Sequence, residues 1–280
     1  MPSGQNEEPY GGVSVSVNLD CGLLLALGGL LARGKNVLMQ RMHWDFAIIL
    51  LVLGVAVPLL GRRRIRKLME AASTTKTERL VLYASTIAFQ WIVVALILWR
   101  THARQIAPAA LGLALPRPGA TLLAAVVLCA LILVNQTVAL RRLKDDPDNA
   151  AHGILPHLAR KVFPQDGPER VAFAALVLTV SICEEIIYRG FAQRVFQDWA
   201  ASVAVAIVGS AAMFSLAHLY QGRRGLVSTF VVGLLFSIVR ALTGTLAPAS
   251  AAHFVADITA GFLAPAKVRD AKAEAVISPN

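Results

Sequence analysis

The sequence predicts an all-α membrane protein, a polytopic transmembrane helix bundle of about seven helices. Three observations carry this. Hydrophobic residues make up 56% of the 280 and charged residues only 16%, with a mean hydropathy of +0.61. Uncharged stretches of spanning or nearly spanning length recur along the chain. Polarity does not alternate within them, which fits helices, whose backbone groups pair internally, and not the strands of a barrel.

The first 41 residues are the exception to this pattern. "CGLLLALGGLLA" (21–32) is too short to span, and Glu7, Glu8 and Asp20 precede it without a Lys or Arg, unlike a secretory signal. A surface segment or disorder would account for it; the reading we favour is an upstream extension, with Met39 or Met42 as the true start. Uncharged spans then follow at Phe46–Gly61, Leu80–Trp99 and Gly119–Leu140, completing an N-terminal group of helices over 42–145. The polar connection over 141–170 is broken by Asp146–Pro147 and Gly167–Pro168, with room for a short interfacial helix around Ile154–Phe163. We read its loop as 146–170. Four further spans, roughly Val171–Tyr188, Trp199–Gly222, Gly225–Val239 and Leu246–Leu263, form a second bundle over 171–265, ahead of a tail at 266–280. "GRRGL" (222–226) and "TGTLAP" (243–248) are expected to be the tight turns within it.

The net charge of +10 does not imply nucleic acid as a partner, because the basic residues sit at the ends of the apolar runs. If "GRRRIRK" (61–67) is cytoplasmic, alternation of the spans leaves most Lys and Arg on that side, as the positive-inside tendency requires. The alanine-rich composition points to a bacterial inner membrane. Cys21, Cys129 and Cys183 have no paired spacing, so neither a disulfide framework nor a thiolate metal site is implied.

Within the last four spans the ionisable residues are Glu184, Glu185, Arg189, His218, Arg240, His253 and Asp257. Each is costly in hydrocarbon and is expected to face the bundle interior. Glu185 and Arg189 are four apart on a helix, the favourable orientation for an ion pair, which leaves Glu184 free. Arg240 is expected to snorkel to the interface or to pair with a carboxylate. Gln136 reads as helix-packing glue.

"EExxxR" at Glu184/Glu185/Arg189, "FxxxH" at Phe214/His218 and "HxxxD" at His253/Asp257 together resemble the CPBP (CAAX protease and bacteriocin-processing, Abi) family of intramembrane proteases, which includes the type II CAAX prenyl endopeptidases. The resemblance covers about Phe173 to Leu263. It implies an endopeptidase acting on a membrane-associated protein or peptide, with prenylated CAAX proteins as the family's eukaryotic substrates. It implies Glu184 as general base helped by His218, and His253 with residue 257 stabilising the oxyanion. The family's third motif more often ends in asparagine; Asp257 could donate to an oxyanion only when protonated and otherwise would orient His253.

In this metal-free scheme no cofactor is required. Glu184, His218 and His253 are also a plausible ligand set for Zn²⁺, although no HExxH motif is present. Two readings from other classes stay open: a non-catalytic immunity or scaffold protein, and a small transporter, against which the lack of an inverted repeat counts. Consecutive spans put Glu184 and His253 near one membrane face and His218 near the other, so convergence requires a mid-membrane site or a broken helix.

Overall fold

The computed structural model describes residues 43–71, 73–145 and 161–277, and all regular structure among them is helical. Helix α1 spans Trp44–Glu70 with a π turn at Val52–Ala56, and α2 spans Lys76–Ala103. A 3-10 turn at Pro108–Leu111 leads to α3, Pro118–Asp145. Helix α4 runs from Gly167 to Ala200. Helix α5 is Val203–Ala217, α6 is Gly222–Thr243 and α7 is Ala247–Ile277. The expected extension over 1–41, and the interfacial helix up to residue 160, lie outside the described residues.

Local chemistry sets the helix ends. Thr75 and Glu78 form a reciprocal capping box at the start of α2, and the Asp166 side chain accepts from the Glu169 amide to cap α4, with Pro168 in the first turn. Gly244 closes α6 at φ 76°, a left-handed position that favours glycine. "TGTLAP" is therefore a turn. "GRRGL" is not: it forms the first turn of α6, and the chain reverses at the 3-10 turn Leu219–Gln221 instead.

Five segments are long and apolar enough to cross a membrane: α1, α2, the Pro118–Ala139 part of α3, α4, and α6 with its preceding 3-10 turn. Their outward faces carry Ile92, Leu122, Leu123, Val171 and Leu242 among many exposed apolar side chains, as a lipid-facing surface requires. The protein is an integral, multi-pass membrane protein. The expected span Trp199–Gly222 is not one helix. Trp199 ends α4, Ala201 turns left-handed at φ 51°, and Ser202 caps a new helix of only 15 residues.

Helix directions follow from the contacts. Helices α1 and α2 are antiparallel, since Arg100 and Arg104 near the end of α2 bind Asp45 near the start of α1. Helices α2 and α4 run parallel, with Arg79 on Glu169 at one level and Gln90 on Glu184 further along. Helix α7 is antiparallel to α4: Phe173 packs on Gly261 and Glu185 reaches His253. A Cβ at residue 261 would lie 2.1 Å from the Phe173 ring, so only glycine allows that approach. Gln136 donates to the Ala256 carbonyl at 3.2 Å and ties α3 to α7. No described carboxylate pairs with Arg240; its Nη2 donates to the Ala110 carbonyl, on the turn that follows α2, at 2.6 Å.

Candidate active site

The stretch "CEEIIYRG" does not end a helix. Helix α4 continues past it to Ala200, and from Glu185 to Ala192 its backbone winds as a π-helix. Such widened turns recur at functional sites because they re-aim side chains. Here the Ser210 hydroxyl of α5 donates to the Tyr188 carbonyl at 2.8 Å, supplying a partner within the π segment. Gly190 admits the neighbouring backbone, since a Cβ there would meet the Leu111 carbonyl oxygen at 3.0 Å.

Depth follows from the pairing with α2. From Arg79 to Gln90 that helix rises about 16 Å, and from Gln90 to Arg100 about 15 Å, so Gln90 and its partner Glu184 meet about midway along a helix long and apolar enough to span. His218 reaches the same neighbourhood because α5 is short. It passes along α4 with Gly209 against the Phe196 ring, Ser210 on the Tyr188 carbonyl and Phe214 against the Tyr188 ring; it ends at Ala217, and His218 is its C-cap, within electrostatic reach of His253, Asp257 and Arg189.

The two glutamates have different environments. Glu185 is fully buried, and its Oε1 accepts from Arg189 Nη1 at 2.9 Å and from His253 Nδ1 at 2.9 Å. Glu184 is half-buried; its Oε1 accepts from Gln90 Nε2 at 3.0 Å, and its Oε2 has no hydrogen-bond partner among the described residues. Glu184 also lies within electrostatic reach of His253, Glu185 and Arg189.

The histidines are oriented in complementary ways. His218 Nδ1 lies 2.8 Å from the Phe214 carbonyl, so Nδ1–H donates and Nε2 keeps its lone pair. His253 Nδ1 is committed to Glu185, while Nε2 stands 3.6 Å from Asp257 Oδ2, a long contact on a carboxylate that is 40% exposed. Phe214 lies among these groups. Its ring faces Arg189 at 4.1 Å, His218 at 4.7 Å, Tyr188 at 5.5 Å and His253 at 5.8 Å. The phenylalanine of the "FxxxH" pattern is therefore a shared wall of the site, and Arg189 is held partly by cation–π attraction.

All six residues singled out in the sequence thus converge. Two neighbours were not singled out: Gln90, whose signal as an amide inside an apolar run was present, and Tyr220, whose ring lies 5.9 Å from that of His218. Among the described residues no group of three His, Cys, Asp or Glu side chains is disposed to hold an ion, and His253 Nδ1 and Glu185 are already engaged with one another.

Residues 167–259, which contain this whole constellation apart from Gln90, match the family model of the type II CAAX prenyl endopeptidase Rce1-like proteins. The matched stretch is about a third of the chain, and over it the chain is similar to these proteins. No curated protein and no solved structure matches the chain. The Rce1-like stretch begins with the first residue of α4 and ends within α7, so its limits follow the helices that carry the acidic, basic and histidine side chains. Helices α1 to α3 lie outside it, and α2 contributes Gln90 from beyond its limits.

Proposed function

We propose that the chain is an intramembrane endopeptidase that hydrolyses a peptide bond in a membrane-associated protein or peptide, with Glu184 as the general base for an attacking water. The supporting observation is the division of labour between adjacent carboxylates: Glu185 is fully buried and bonded through Oε1 to both Arg189 and His253, whereas Glu184 is half-buried and bonded through Oε1 to the neutral amide of Gln90 alone, with Oε2 left over. In this scheme a water bound between Glu184 Oε2 and His218 Nε2 gives one proton to Glu184 as its oxygen attacks the scissile carbonyl carbon. His253, held by the Nδ1 bond to Glu185, donates to the oxyanion from Nε2 as the imidazolium, and Asp257 donates there as the protonated acid or otherwise orients His253. Collapse of the tetrahedral intermediate returns the proton from Glu184 to the leaving amine. No cofactor is required by these steps.

The test uses the purified full chain in lipid vesicles. Its probes are a fluorogenic peptide ending in a farnesylated CAAX sequence and the same peptide without the prenyl group, with products identified by mass spectrometry. Glu184→Ala and His218→Ala are each expected to lower kcat at least about 1000-fold while the unfolding temperature is kept. Full activity in either variant refutes the assigned roles. Cleavage of neither peptide by the unmutated protein counts against the endopeptidase and for a scaffold or immunity role. Stoichiometric zinc in the active protein, lost together with activity in His253→Ala, would contradict the metal-free scheme.

A further inference from the structure

The bond between Gln90 and Glu184 crosses from α2 to α4, and it is the contact in which a residue outside the Rce1-like stretch touches the proposed base. Gln90 is 8% exposed, on a helix whose neighbouring face is otherwise apolar: Val94 and Ile97 are each 1% exposed or less. An amide in such a place is costly unless it is used. Two atoms of the pair lack hydrogen-bond partners among the described residues, Gln90 Oε1 and Glu184 Oε2. The donor end of the amide is satisfied by the carboxylate, while its acceptor end and the second carboxylate oxygen are both left available.

We propose that Gln90 is a positioning residue for Glu184, holding the carboxylate by Oε1 so that Oε2 is presented to the reacting water. The proposal rests on the reading of Glu184 as general base. A base passes through two forms in each turnover, carboxylate and carboxylic acid. A cation in this position would hydrogen-bond the carboxylate alone, and an aliphatic side chain would hold neither form. A primary amide has both a donor and an acceptor, so Gln90 can donate to the carboxylate and offer its carbonyl to the acid. The tie between α2 and α4 does not depend on it, because Arg79 and Glu169 already join these helices through two hydrogen bonds nearer their N-terminal ends. That separates positioning from packing.

The test is Gln90→Met, which keeps length and burial but removes the amide. In pH-induced infrared difference spectra of the full chain in lipid vesicles, the Glu184 carboxyl band is the one that Glu184→Gln removes. In Gln90→Met that band is expected to be displaced. With whichever of the two peptides above the protein cleaves, kcat is expected to fall about 10- to 100-fold, with KM changed less than about twofold and the unfolding temperature within about 3 °C. An undisplaced band overturns the proposal, as does a fall in kcat that only tracks loss of folded protein. If Glu184→Gln itself keeps full activity, the reading of the base falls and Gln90 falls with it; an inactive Glu184→Gln beside a normal Gln90→Met removes the positioning role alone.

Discussion

Helix α4 carries two buried arginine–glutamate pairs, and they are built differently. Near its start, Glu169 and Arg79 meet through two parallel hydrogen bonds, of 3.1 and 2.7 Å; Arg79 also donates to the Thr74 carbonyl, and Glu169 also accepts from the Gln165 amide. In its middle, Glu185 and Arg189 meet through one bond of 2.9 Å, while Arg189 Nε and Nη2 and Glu185 Oε2 lack hydrogen-bond partners among the described residues. The first pair uses the planar fork of arginine fully. The second is held by the rings of Phe214 and Phe236, at 4.1 and 5.3 Å from the guanidinium, and by His253. The same two residue types at similar burial therefore do different jobs: one closes the bundle, and the other supports a site with hydrogen-bonding capacity in reserve.

The largest effect expected from breaking this contrast is at the saturated pair. Arg79→Ala leaves Glu169 buried without its counter-ion and should cost about 3–5 kcal/mol of stability, measured by denaturant unfolding in detergent, while the folded fraction keeps its kcat. A loss of kcat in fully folded Arg79→Ala would mean that this pair also serves the site. The smallest effect lies one turn outside it. Lys76 Nζ donates to Asp166 Oδ2 at 2.6 Å and holds that carboxyl below the usual carboxylate range, with help from the Glu169 amide. Because the folded value is the lowered one, the contribution is present above the unfolded value of about 3.9 and is lost as pH falls through the folded value. Lys76→Met should therefore weaken the protein slightly at neutral pH and leave its stability flatter on acidification, read from unfolding temperatures across an acid series.

Much of this was legible in the sequence. Long uncharged runs fix helices in lipid, and the rarity of charge within them made Glu184, Glu185, Arg189, His218, His253 and Asp257 conspicuous. Three features were not legible. The break at Ala201–Ser202 contains no Gly or Pro and follows directly on Trp199, so the uncharged run from Trp199 to Gly222 reads straight across it; yet it starts the short helix whose C-cap is His218. The π segment at Glu185–Ala192 depends on tertiary contacts such as Ser210 with the Tyr188 carbonyl, and sequence spacing does not register them. Arg240 was read against water and carboxylates, the usual partners of a cation, whereas its partner is a backbone carbonyl on a turn far away in the chain.

The central claim is that adjacent glutamates in "CEEIIYRG" divide support from chemistry. The most direct measurement compares Glu184→Gln with Glu185→Gln in the same vesicles, recording kcat and unfolding temperature for each. Glu184→Gln is predicted to keep its unfolding temperature and lose kcat by about 1000-fold or more. Glu185→Gln is predicted to lower the unfolding temperature, because Arg189 and His253 lose the carboxylate they share. A Glu184→Gln protein that turns over at the rate of the unmutated chain would contradict the account.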